Sequence, residues 1–228
     1  MNAAMVSVLE SGLDELGLYS QALSLRLQKY LTEIELWNPR LRLVDASGTD
    51  LVTRHILDSL TLVLHLDRTS GAGRQGELRL ADLGSGAGLP GIPVALARPQ
   101  VSVCLVERME RRCGFLRNAT AILGLSQVEV CNLQTVDLPP RRFNALTARA
   151  YQPVDERFIR EVLAILDTAG EGLFLRGRMD RTAGEIASLP ERVRATFSYE
   201  QIALEASFLP SGSRHLLRIR HSRGSSRT

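Results

Sequence analysis

Apolar positions recur at helical intervals in two stretches near the start of the chain. Between Ser20 and Trp37, the residues Leu23, Leu27, Tyr30, Leu31, Ile34 and Trp37 fall three or four apart, forming one face of an amphipathic helix. Pro39 is expected to stop it. A second helical pattern runs from about Asp50 to Leu66, with Leu51, His55, Leu62 and Leu66 on the repeat and Thr49 as candidate N-cap. The octapeptide SGAGRQGE, residues 70–77, carries turn chemistry only and reads as a mobile loop between two structural regimes.

From Leu78 onward the pattern changes. LRLADL, CLVE, VEVC, NALTA, GLFLR and HLLRIR are short apolar runs suited to strands, and helical stretches lie between them at Gly91–Ala97, Glu110–Leu123 and Asp155–Leu166. Gly124 is a C′ stop for the second of these. Strand–helix alternation at this spacing predicts an α/β fold, a mostly parallel sheet with helices on both faces. Only loop and a short segment are expected between GLFLR and HLLRIR, so those strands are expected to pair antiparallel at one edge. The expected division is a helical extension over 1–70, a Rossmann-like core over 71–220 and a disordered tail, HSRGSSRT, over 221–228.

Composition limits the picture without deciding it. The chain has 228 residues, 44% hydrophobic and 23% charged, ordinary globular usage that argues against disorder. It has no long apolar run for a membrane span and no basic-then-apolar leader, which points to a cytoplasmic protein. Cys104, Cys113 and Cys131 form no CxxC pair and read as buried free thiols, and the scattered histidines His55, His65, His215 and His221 suggest no metal site. No heptad or apolar edge argues for more than a monomer. Net charge is +3, but beyond Glu205 come Arg214, Arg218, Arg220, Arg223 and Arg227 with no acid to oppose them. That asymmetry favours an anionic partner.

The most informative stretch is Leu80-Ala-Asp82-Leu-Gly84-Ser-Gly86-Ala-Gly88-Leu89-Pro90-Gly91-Ile-Pro93. An apolar strand runs into alternating glycines, and a helix follows. Glycines at such a turn allow positive φ and let a ligand reach bare backbone, while the helix start offers N–H groups to its anionic end. Glu107, at the end of the next strand, is placed to take both hydroxyls of a ribose. Loop and acid together indicate a nucleoside cofactor. Gly86-x-Gly88-x-x-Gly91 also satisfies the dinucleotide pattern, which leaves a dehydrogenase open. Two features favour S-adenosylmethionine: Asp82 can meet a cationic amino group, and no second glycine loop or hydride-acceptor site follows.

DLGSGAGLPGIP, preceded by WN (37–38) and RHILDS (54–59) and followed by LVERMERRCGFLR (105–117) and ARAY (148–151), resembles the RsmG (GidB) family, bacterial 16S rRNA (guanine-527-N7)-methyltransferases. The likeness covers about residues 20–220. It implies a class I, Rossmann-like S-adenosylmethionine-dependent methyltransferase fold with a seven-stranded sheet and a helical extension. It also implies a 16S rRNA substrate, as small subunit or assembly intermediate. Carried over by the family pattern, Gly84 and Leu89 hold the methionine part of the cofactor, Glu107 stands where the family has Asp, and Thr135 and Val136 frame adenine. Arg149, in ARAY, matches an arginine near the methyl-transfer site. Gln134-Thr135-Val136 departs from the usual Arg-Ala/Val-Glu, so a carboxylate contact at 136 is lost.

The cofactor set is therefore Asp82, Gly84, Gly86, Gly88, Leu89, Glu107, Thr135, Val136 and Arg149, with Arg149 also the catalytic candidate. Arg54, His55, Arg111, Arg112 and Arg176 are candidates for RNA contact; the first two, with Asp58, also suit docking of the extension onto the core. Guanine N7 carries a lone pair and no proton, so its methylation needs alignment rather than a general base. The chain accordingly lacks the Asn/Asp-Pro-Pro-aromatic and Pro-Cys motifs of amino and C5 methylation. A small-molecule methyltransferase and a non-catalytic RNA-binding protein remain alternatives.

Overall fold

A computed structural model describes residues 1–66, 78–149, 152–210, 212 and 214–222. The expected loop at 70–77, with the proposed boundary at 70, and most of the 221–228 tail lie outside the described residues.

The first helix, Ala3–Glu15, was not expected from periodicity. Asn2 caps it by accepting from the Met5 N–H at 3.0 Å, and Met5, Leu9 and Leu13 form its buried face. The long second helix, Gln21–Leu41, starts at Ser20, whose hydroxyl accepts from the Leu23 N–H. It runs past Pro39, contrary to expectation. A proline in the last turn removes a single intrahelical bond, and the helix closes two residues later where the Arg42 N–H reaches the Asn38 carbonyl with Arg42 in the left-handed region. Asn38 then clasps Val44 through both its amide oxygen (2.9 Å) and nitrogen (3.1 Å).

The second helical pattern starts two residues before its prediction and is not a plain α-helix. Gly48–Leu51 is followed by a π-helical turn, Val52–Leu57, and then Asp58–Leu60. Ser47, not Thr49, occupies the cap position. The wide turn, a feature often found at functional sites, carries Arg54 and His55 and delivers Asp58 behind them.

Seven strands form one sheet: β1 Arg79–Leu83, β2 Ser102–Val106, β3 Val128–Cys131, β4 Phe143–Arg149, β5 Leu166–Arg176, β6 Phe197–Ala203 and β7 His215–His221. Their spatial order is β3-β2-β1-β4-β5-β7-β6. The first five are parallel, and β7 inserts antiparallel between β5 and β6. The expected antiparallel pairing of GLFLR with HLLRIR is present, but β6 covers it, so the edge falls one strand further out. β7 also continues to His221, one residue past the expected core limit.

Alternate strand residues face two cores. Leu80, Leu105, Ala145, Leu173 and Leu216 pack with the helices Gly91–Ala97 and Glu110–Ile122 and with the N-terminal helices. Ala81, Val106, Leu146, Phe174 and Leu217 pack on the other face with the helices Glu156–Ile165 and Met179–Ala187. Arg26 and Lys29 of the second helix donate to the Leu123 and Ile122 carbonyls, each at 2.9 Å. They satisfy the C-terminal end of the Glu110–Ile122 helix. No helix among the described residues is long and apolar enough to cross a membrane.

Candidate active site

β1 pairs with β2 on one side and β4 on the other, so strand order reverses there, which opens a crevice at the carboxyl ends of the strands. The cleft is about 440 Å³, and Gly84 after β1, Glu107 after β2, Thr135 and Val136 after β3 and Arg149 at the end of β4 all line it. Sequence reasoning had selected all five. Met109, Gln134 and Gln152 line it too and were not selected. Asp82, Gly86, Gly88 and Leu89 do not line the cleft; they lie in β1 and the glycine loop on either side of Gly84.

Gly84, Gly86 and Gly88 all have positive φ, as the turn chemistry required. Gly91 is needed for space: a Cβ there would lie 2.4 Å from Leu105 Cδ2 and 2.8 Å from Asp82 Oδ2. The expectation of a free helix start at this point is corrected, because Asp82 Oδ2 already accepts the Gly91 N–H at 3.0 Å. Asp82 Oδ1 is buried without a hydrogen-bond partner among the described residues. Burial pushes this carboxyl up to about 7, opposed by the Gly91 N–H and Ser85. A buried acid with an orphaned oxygen under a glycine loop fits a cationic ligand group.

Glu107 Oε2 accepts from the Gly86 N–H (3.1 Å) and Oε1 from the Met109 N–H (2.9 Å). A carboxylate offers about four acceptor sites, so each oxygen can still take a ribose hydroxyl. Thr135 is buried, whereas Val136 is exposed at the rim. The residues present therefore fit S-adenosylmethionine.

Arg149 is held from the N-terminal helices. Its Nε lies 3.2 Å from Asp58 Oδ2, and its Nη1 lies 2.6 Å from His55 Nδ1. A guanidinium only donates, so His55 Nδ1 accepts, the ring is neutral, and its proton sits on Nε2, 3.4 Å from Asp45 Oδ1. Burial, then the Arg149 charge, pushes the imidazole down to about 4. Asp58 is fully buried and also lies 3.3 Å from Arg214 Nε. Burial pushes its carboxyl up, and the Arg149 and Arg214 charges pull it back.

The RNA-contact candidates separate. His55 is buried and turned to Arg149 and Asp45, so it is a docking residue of the extension, not a surface contact. Arg176 is likewise engaged, donating to the Gln152 carbonyl (2.6 Å) and pairing with Glu185 (2.7 Å) at 10% exposure. With its charge paired by Glu185 and its side chain largely buried, it is poorly placed for a phosphate. Arg112 is half-buried, 3.9 Å from Glu107. Arg54 is exposed beside Asp45 and Asp50, and Arg111 is exposed on the helix flanking the cleft.

One link was missed. Tyr30, counted only as an apolar helix position, is fully buried and donates its hydroxyl to the Ala87 carbonyl of the glycine loop at 2.5 Å. Its signal was a phenol on an otherwise aliphatic stripe, since a buried Tyr O–H needs a partner. The three cysteines are free and buried. Cys104, Glu129 and Cys131 bring ligand atoms within 4.8 Å of one another, with Glu129 already 3.3 Å from Arg142.

Solved methyltransferases share this architecture. A predicted O-methyltransferase from Agrobacterium tumefaciens superposes with a TM-score of 0.52 at 24% identity, covering 68% of this chain and 79% of that one. A tRNA (m1A58) methyltransferase from Aquifex aeolicus gives 0.52 at 16%, covering 73% and 68%. Strand order and cleft define the class I, Rossmann-like methyltransferase fold.

Its sequence relatives are narrower. The ribosomal RNA small subunit methyltransferase G of Treponema pallidum (strain Nichols) is 37% identical over 162 residues, 69% of each chain. The protein of that name from Laribacter hongkongensis is 34% identical over 214 residues, 92% of this chain and 96% of its own. Residues 24–216 match the family described as GidB, rRNA small subunit methyltransferase G, and the chain belongs to that family.

Proposed function

We propose that this chain transfers a methyl group from S-adenosylmethionine to N7 of one guanine in 16S ribosomal RNA. The family match over residues 24–216 carries that reading, and the cleft chemistry agrees with it. The substrate is the small ribosomal subunit or an assembly intermediate, met by a monomeric, cytoplasmic enzyme with its helical extension over 1–70.

Bound S-adenosylmethionine supplies an electrophilic methyl group on a cationic sulfonium. The residues of the chain bind and align. Asp82 Oδ1, otherwise orphaned, takes the amino group. Gly84, Gly86 and Gly88, with Leu89 wedged beneath, let the backbone come close. Glu107 holds the ribose hydroxyls, and Thr135 with Val136 frames adenine. Arg149 faces the target base. No residue has to remove a proton, because N7 attacks through its lone pair. Near-attack alignment of this kind is worth about 7–11 kcal/mol in favourable cases.

The test is transfer of a labelled methyl group to small subunits lacking N7-methylguanine, with fully modified subunits as control and the product mapped to a nucleotide. Label on a single guanine N7, absent from the control, is expected. Cofactor binding with label on no guanine, in subunits or in assembly intermediates, would overturn the substrate reading.

A further inference from the structure

Arg149 lines the cleft, yet two of its nitrogens are committed elsewhere: Nε to Asp58 and Nη1 to His55. Nη2 has no partner among the described residues. Asp58 and His55 come from one turn of the π-interrupted helix, some ninety residues earlier in the chain, and both are buried. A flexible arginine is thereby pinned from two sides, with one N–H pair left over. Asp58 does a second thing. The methyl donor is cationic and so is an N7-methylated guanine, and an uncompensated guanidinium beside them would be repelled by both. The buried Asp58 carboxylate, shared with Arg214, offsets part of that charge locally.

We propose that Asp58 and His55 are positioning residues that lock Arg149 with its Nη2 toward the cleft, where it donates to O6 of the target guanine. This rests on the guanine-N7 reading of the site. O6 is adjacent to N7 on the same edge, and in adenine that position carries an N6–H₂ donor instead. A fixed N–H donor therefore accepts guanine and rejects adenine without touching N7 itself. Lysine at position 149 would lose the planar fork that both partners engage.

The experiment is a pair of double-mutant cycles on methylation of unmodified small subunits, read as single-turnover rate, with cofactor Kd from calorimetry and folding from circular dichroism. Arg149→Ala, Asp58→Asn and His55→Leu are made singly, and each of the latter two is combined with Arg149→Ala. Arg149→Ala and Asp58→Asn are each expected to slow transfer by at least about 30-fold, and His55→Leu by about 5-fold, with cofactor Kd changed less than about 3-fold. Because Asp58 and His55 act through Arg149, each double variant should be no slower than Arg149→Ala alone. Additive losses would make them ordinary fold-supporting residues and overturn the proposal. If Asp58→Asn does not fold, the His55→Leu cycle decides by the same criterion. An active wild type with an unaffected Arg149→Ala removes the arginine and this proposal together but leaves guanine methylation standing. A wild type that binds cofactor but methylates no guanine refutes the underlying reading instead.

Discussion

Paired with the cofactor's amino group as proposed, Asp82 should make cofactor binding depend on pH below about 7. Its side chain is fully buried, and its ordinary value of 3.8 is pushed up to about 7. Without ligand, then, the folded chain holds a proton between those values that the unfolded chain has released. The raised value favours folding fully below pH 3.8, and that contribution is lost as pH climbs through 7. At 1.36 kcal/mol per unit the ionised carboxylate costs the ligand-free fold about 4 kcal/mol above pH 7. A cationic amino group beside Oδ1 would reverse that preference, so binding must drive the proton off. Affinity for S-adenosylmethionine should rise about tenfold per pH unit from pH 5 to 7, level off above 7 where Asp82 is already ionised without ligand, and fall above about 8 as the ligand's own α-amino group loses its proton. Calorimetry at pH 6 in two buffers of different ionisation enthalpy should show close to one proton released. Asp82→Asn keeps an acceptor for the Gly91 N–H, abolishes both effects and stabilises the ligand-free protein at pH 8. An affinity that stays flat from pH 5 to 7, with no proton released, would refute the pairing of Asp82 with the amino group.

Tyr30→Phe removes one buried hydrogen bond and leaves the Ala87 carbonyl without it. A loss of about 1–3 kcal/mol is expected, with a melting temperature several degrees lower and weaker cofactor binding, measured by thermal shift with and without ligand. Gly91→Ala drives a methyl group into Leu105 and Asp82; overpacking of this kind costs about 1–3 kcal/mol, and calorimetric unfolding should register it even though the backbone there is ordinary. Neutralising Arg108 and Arg111, both exposed beside the cleft, should weaken RNA binding and flatten its dependence on salt by about one to two counterions, while cofactor affinity stays put; an unchanged salt slope removes them from the RNA surface.

Local signals carried the cofactor half of the site. Gly84, Glu107, Thr135 and Val136 each follow a strand in sequence and Arg149 ends one, and parallel strands bring their carboxyl ends to one edge, so linear order maps onto the cleft wall. The helices at Gly91–Ala97 and Glu156–Ile165 were legible because caps and glycines mark them; Asp155 accepts the Phe158 N–H at 2.7 Å. β6 was not legible: most of its residues lie towards solvent at the sheet edge, so the apolar run that marked the other strands is missing. The first helix was overlooked for the opposite reason, because thirteen residues with no charge until Glu10 give a weak polar face against which to see the stripe. Charge in a sequence says nothing of burial, so His55 was open to either docking or RNA contact and Arg176 looked free for RNA. What holds each of them, Arg149 for one and Glu185 for the other, is a tertiary fact.

The N-terminal helices are usually the part of such a reading that sequence treats as an appendage, and the contacts argue against that. They supply buried residues to the same apolar cluster as one face of the sheet, and Gly12 is so close to Leu57 that a Cβ would fall 2.2 Å from its Cδ1. Three of their polar groups then reach the working edge: Tyr30 on the glycine loop, and His55 and Asp58 on Arg149. Neither end of these contacts is satisfied alone. Removing Asp58 from the docked fold would leave Arg149, and removing Arg149 would leave Asp58, as a buried charge short of a partner, a state costing several kcal/mol. The same contacts tie the N-terminal helices to the end of β4, so if Arg149 acts as proposed, loosening those helices should lower methyl transfer and stability together.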